Sequence, residues 1–102
     1  MVARVTRYRI RSGKVEEFAA TIESLMSALD RLEGFCLFLM VLGEDPSGRD
    51  ATSISVWEST EQMKSGENSR FYYELIKTVM GCCESFSPMH EHEVMKIKFA
   101  HP

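Results

Sequence analysis

Apolar and polar side chains alternate over the first ten residues, with Val2, Arg4, Thr6, Tyr8 and Ile10 on one register and Ala3, Val5, Arg7 and Arg9 on the other. A period of two in a stretch rich in β-formers predicts a strand over 2–10. From Val15 the period lengthens: Val15, Phe18, Ala19, Ile22, Leu25, Met26, Leu29 and Leu32 recur at three- and four-residue spacing. That stripe predicts an amphipathic helix of about five turns, with Ser12 available to cap its start and Gly34 to end it. Residues 35–42, FCLFLMVL, are apolar without a break and lie between Gly34 and the turn segment GEDPSGRD, which predicts a strand buried on both faces. Residues 51–58, ATSISVWE, supply its hairpin partner. Ser59 and Gln62 have the spacing of a capping box and open a second helix, which the poor helix formers of 64–69, KSGENS, interrupt. The stripe resumes with Phe71, Tyr72, Leu75, Ile76, Val79 and Cys82, Ser87-Pro88 ends it, and Met89 to Phe99 alternate again as a last strand.

The resulting order, β-α-β-β-α-β, predicts an α+β, ferredoxin-like fold, a four-stranded antiparallel sheet with both helices on one face. The other face has no cover of its own, yet FCLFLMVL offers apolar side chains in both registers. A second copy packed sheet against sheet is the simplest cover, so a homodimer through the sheet face is expected, with a monomer of unusually apolar sheet as the alternative.

A chain of 102 residues, 44% of them hydrophobic, supports one core, so residues 1–102 are read as a single domain. No apolar run approaches the roughly 20 residues that span a bilayer, and the opening MVARVTRYRIR is charged where a secretory segment is apolar. The expectation is a cytoplasmic protein without a membrane partner. A formal net charge of −3 gives no global field for nucleic acid. Arg4, Arg7, Arg9 and Arg11 are a local basic run on an order shared with RNA-recognition modules, but those modules need aromatic side chains on the third strand, where ATSISVWE has serines. Cys36, Cys82 and Cys83 do not form a disulfide framework and read as reduced thiols.

Three short segments then stand out in order: Gly13-Lys14-Val15-Glu16-Glu17-Phe18 after the first strand, Leu32-Glu33-Gly34-Phe35 opening the second, and Val56-Trp57-Glu58-Ser59 closing the third. With them the chain, from about residue 2 to 97, resembles the antibiotic biosynthesis monooxygenase family of dimeric α+β barrels. The resemblance implies a homodimer, a pocket between helices and sheet in each subunit, and no cofactor. It implies, as activity, cofactor-independent oxygenation of a small aromatic or quinone-type molecule, in which a base removes an acidic proton and the electron-rich anion reduces O₂. Haem-degrading relatives use an Asn, a Trp and a His where this chain has Thr6, Gly66 and Ile76, so haem breakdown is set aside. The alternative is a non-catalytic ligand-binding or stress-response homodimer on the same scaffold, and a third reading is an isomerase or decarboxylase.

As catalytic candidates we take Tyr8, Tyr72 and His90, and as substrate-binding candidates Arg4, Thr6, Trp57 and Phe71. Tyr8, Thr6 and Arg4 share a register, and on the helix side they present two hydroxyls and a guanidinium to the cavity. Each has a plainer reading. Arg4 can meet Glu91 or Glu93 across the sheet, Trp57 can anchor the following helix, Phe71 and Tyr72 can be core, and His90 and His92 can be surface or interface residues. Cys82, Cys83, His90 and His92 lack the usual spacing of zinc ligands, so no metal is expected.

Overall fold

The computed structural model describes residues 1–87 and 90–98. Strand β1 (Val2–Ile10) leads into helix α1 (Val15–Leu29), the hairpin β2 (Phe35–Leu42) and β3 (Asp50–Trp57), helices α2 (Thr60–Glu67) and α3 (Arg70–Gly81), and two short strands, β4 (Cys83–Phe86) and β5 (His90–Glu93). The antiparallel sheet runs β2-β3-β1-β4, with β5 also on β1. The expected ferredoxin-like fold is therefore present, with two of its parts divided.

The second helix is two helices, broken at Asn68 and Ser69 rather than across all of 64–69. The fourth strand position is shared by β4, against Tyr8–Ile10, and β5, against Val2–Val5. Between them Ser87 takes over the ladder: its N–H donates to the Arg7 carbonyl at 2.8 Å, and its hydroxyl accepts from the Arg7 N–H at 2.9 Å. The last strand, expected over Met89 to Phe99, is assigned only at 90–93; Met89 and Phe99 lie outside the described residues. Val2 pairs with Glu93, and the Val94 N–H donates to the Met1 carbonyl at 3.0 Å.

Local signals explain most boundaries. Helix α1 stops three residues short of Leu32, because the chain turns into β2 through Gly34 at φ +83°, a left-handed conformation that side chains disfavour. Lys14 occupies the N-cap of α1 without a side-chain cap, so Ser12 does not serve as expected. Ser59 does cap α2, accepting from the Gln62 N–H at 3.2 Å, while its own hydroxyl donates to Gln62 Oε1 at 3.1 Å. In the β2–β3 turn, Asp45 accepts from Ser47 Oγ at 2.6 Å and from Arg9 Nη1 at 2.5 Å.

The core sits between the helices and one sheet face. Phe18, Ile22, Leu25 and Leu29 of α1 meet Tyr72 and Val79 of α3 over Tyr8, Ile10, Ala51 and Trp57. The β1–β3 register places Arg4 opposite Ser55 and Thr6 opposite Ser53, so this face is polar at its centre. On the other face run Ala3 and Val5, Ile54 and Val56, and Leu37, Leu39 and Val41. Within one chain Leu39 is 48% exposed and Val41 42%, so β2 is covered on one side only.

Trp57 fixes how α2 lies on the sheet. A Cβ at Gly66 would come within 2.8 Å of Trp57 Cη2 and 3.2 Å of Leu32 Cδ1, whereas one at Gly81 would meet nothing within 4 Å. Overpacking costs about 1–3 kcal/mol and helix propensity returns up to about 1 kcal/mol. Gly66→Ala is thus expected to lower stability by about 1–2 kcal/mol and Gly81→Ala to leave it equal or higher, read by urea unfolding. Hydrogen bonds from Ser47 first and Arg9 second hold the Asp45 carboxyl at a pKa of about 2, below its ordinary value. A lowered carboxylate value adds stability above the unfolded value and loses it as pH falls toward about 2. The Asp45 carboxyl resonance should titrate near there in a carbon NMR series, and Ser47→Ala should raise its midpoint.

Candidate functional site

Three polar pairs line the helix-facing side of the sheet. Strand periodicity turns Arg4, Thr6 and Tyr8 inward from β1 and Ser53 and Ser55 inward from β3. Tyr8 Oη and Ser53 Oγ lie 3.0 Å apart, and Trp57 Nε1 donates to Ser55 Oγ at 3.1 Å. The guanidinium of Arg4 grips Glu67, at the end of α2, through Nε to Oε2 at 3.0 Å and Nη2 to Oε1 at 2.5 Å. Arg4 and Glu67 are only 14% and 17% exposed at their side chains, and Glu91 approaches the same guanidinium at 3.7 Å from β5. Two carboxylates thus share one cation. A fork of this kind is a strong and oriented contact, because both ions are partly withdrawn from water.

Tyr72, in the first turn of α3, closes the group. Burial first, then the negative charge of Glu67, pushes its hydroxyl pKa well above the ordinary value, with Arg4 opposing. Tyr8 moves the same way, burial outweighing its hydrogen bonds to Ser53 and Thr6. Neither tyrosine is a base at neutral pH; both are hydroxyl donors. Beside them a hollow of about 280 Å³ opens along α3, lined by Glu67, Tyr72, Tyr73, Ile76, Lys77 and Met80. Its walls are mostly apolar, with one carboxylate, two phenols and an ammonium among them, and its size suits a small ring system. Lys77 lies at the exposed rim, its Nζ 5.8 Å from the Tyr73 ring centroid.

Of the residues singled out in the sequence, Arg4, Thr6, Tyr8 and Tyr72 come together here. Trp57 is fully buried, edge-on to Phe35 with centroids 5.5 Å apart, and offers no surface to a ligand. Phe71 is 43% exposed and faces a separate hollow with Arg70, Glu74 and Leu75. His90 pairs with Val5 and His92 with Ala3, the register opposite to that of Arg4, Thr6 and Tyr8. The same ladder pairs Glu91 with Arg4, which is the cross-sheet ion pair that the sequence offered as one of two uses for Arg4.

Glu67, Ser53 and Ser55 escaped the sequence reading. The serines were legible, since they share the register of Trp57 in ATSISVWE. Glu67 was hidden inside a segment that reads as a helix interruption, and only the need of an inward Arg4 for a counter-ion pointed to an acid on the second helix. Among the described residues, no three His, Cys, Asp or Glu side chains form a group able to hold a metal ion.

Comparison with solved structures shows the same fold in distant relatives. SnoaB, a cofactor-independent oxygenase from Streptomyces nogalater, matches with a TM-score of 0.83 at 14% identity, covering 94% of each chain. A protein from Nitrosomonas europaea described as belonging to the antibiotic biosynthesis monooxygenases matches at 0.82 and 12% identity, over 94% of this chain and 100% of that one. A conserved protein from Methanosarcina mazei Go1 matches at 0.81 and 15%, over 89% of both. No curated protein matches in sequence. The sequence profile described as antibiotic biosynthesis monooxygenase, however, matches residues 1–77, three-quarters of the chain and all of β1 through the site on α3, and the chain therefore belongs to the antibiotic biosynthesis monooxygenase family.

Proposed function

We propose that the protein is a cofactor-independent monooxygenase that takes a small hydroxylated or quinone-type aromatic into the hollow beside Tyr72. The observation that carries this reading is the largely buried polar group beside a mostly apolar hollow, with Glu67 and Tyr72 both on its wall. An apolar wall holds the rings, and the phenol of Tyr72 donates to a ligand oxygen. Glu67 accepts the acidic proton of the ligand. The charge of the site is unchanged by that transfer, because the new oxyanion replaces the carboxylate beside Arg4. The electron-rich anion then reacts with O₂. For an anthrone, one oxygen atom enters as the new carbonyl, and the other leaves as water with the two hydrogens of the oxidised CH₂. Thr6 and Tyr8 hold the sheet side of the group through Ser53.

The packing around Trp57 favours a second reading, a non-catalytic binder, because this wholly buried side chain offers no surface to a ligand. Among the described residues no helix is long and apolar enough to cross a membrane, and the partner we propose is a second copy, seated on Leu37, Leu39 and Val41 of the outer sheet face.

Incubation with an anthrone or a hydroxynaphthalene, aerobic against anaerobic, separates the readings. Oxygen uptake is expected, falling about 10²-fold in Glu67→Gln, the usual scale for a lost proton acceptor. Ligand binding without oxygen uptake in the unmodified protein establishes the binder instead. Light scattering is expected to give twice the chain mass of 11.7 kDa. Leu39→Lys with Val41→Lys should return it to that of one chain, and a wild-type mass of one chain at micromolar concentration ends the dimer reading.

A further inference from the structure

The charges around Arg4 bear on which ligand enters. Its guanidinium is held by Glu67 in a two-point fork and approached by Glu91, so one cation answers two carboxylates. Of these, Glu67 also lines the hollow. A ligand carboxylate set beside Tyr72 meets an ionised Glu67 whose partner is already engaged, in a place where both ions are largely out of water. Like charges brought together under those conditions cost far more than they do at the surface. The ammonium of Lys77 lines the same hollow, but it is exposed and sits over the Tyr73 ring, where salt and water screen it. Tyr72 and Tyr8 are neutral. The group facing the hollow from α2, α3 and β1 is thus net negative at its buried end and weakly positive at its rim.

We infer that Glu67 is a specificity-determining residue: by occupying Arg4 and facing the hollow, it admits aromatics that arrive uncharged and rejects those that carry a carboxylate. This inference rests on the hollow being the ligand site proposed above, and it goes further by naming the charge class of the ligand. It also gives the fork a role that a purely structural ion pair lacks, since either pairing would stabilise the fold but only this one sorts ligands.

The test is calorimetric titration of the full chain, under anaerobic conditions, with two probes on one ring system, 1-naphthol, uncharged at about pH 7, and naphthalene-1-carboxylate. Wild type should bind the naphthol at least about tenfold more tightly than the carboxylate. Glu67→Gln should shift the ratio of the two affinities toward the carboxylate by about tenfold or more, and adding Arg4→Gln should remove the shift. Lys77→Ala should leave the ratio of the two affinities near the wild-type value. Should Glu67→Gln fail to fold, wild type itself suffices: a third probe, the ammonium of 1-naphthylmethylamine, should bind more tightly than the carboxylate, because Glu67 attracts the one charge and repels the other. Equal or tighter binding of the carboxylate by wild type overturns the inference while leaving the ligand site standing. So does a ratio unmoved by Glu67→Gln, or an ammonium probe that wild type binds no more tightly than the carboxylate. If wild type binds neither probe, the hollow is not the ligand site, and both readings fall.

Discussion

The helices of this protein close over a sheet face that is polar at its centre. Arg4, Thr6, Ser53 and Ser55 occupy positions where an ordinary two-layer core would set aliphatic side chains. Withdrawing such groups from water is tolerable only if each finds a partner inside. Tyr8 answers Ser53, the Trp57 ring nitrogen answers Ser55, and Glu67 answers Arg4. Most of the architecture around the site follows from these pairings. Helix α2 must end where Glu67 can reach β1, Trp57 must lie flat enough to contact Gly66, and α3 must begin afresh beyond the break, carrying Tyr72 to the same place.

Tyr8 keeps its proton in spite of the hydrogen bonds of that polar seam, which pull its pKa down. Burial among apolar neighbours holds Tyr8 and Tyr72 protonated. The charged members, by contrast, stay paired and sit at the margin, where the seam opens into the hollow. Division of labour in the site is thus set by depth: neutral hydroxyls inside, ions at the edge, apolar walls between.

Much of this fold was legible from spacing. The period-two alternation of 2–10 and the helical stripe from Val15 gave β1 and α1, and the unbroken FCLFLMVL gave a strand with an unsatisfied outer face. The divided elements were harder. Ser87 replaces a ladder partner of Arg7 through its side chain, an exchange that depends on where two distant segments meet and leaves no local periodicity. Within the site, Thr6, Tyr8 and Arg4 were legible because one register places all three on one side. Glu67 was not, because helix-weakening neighbours mask it and its role arises only from a partner sixty-three positions away. Phe71 shows the converse: one position from Tyr72 on a helix, it points about 100° away and faces other surroundings.

The contact between Trp57 and Gly66 has a practical corollary. Trp57 is the only tryptophan in the chain, it is wholly buried, and its indole touches the residue next to Glu67 while its ring nitrogen is anchored to Ser55. Any displacement of the end of α2 must alter the surroundings of that indole. The protein therefore carries a single built-in fluorophore whose emission reports on the position of Glu67, without a label and without a second tryptophan to confuse the signal.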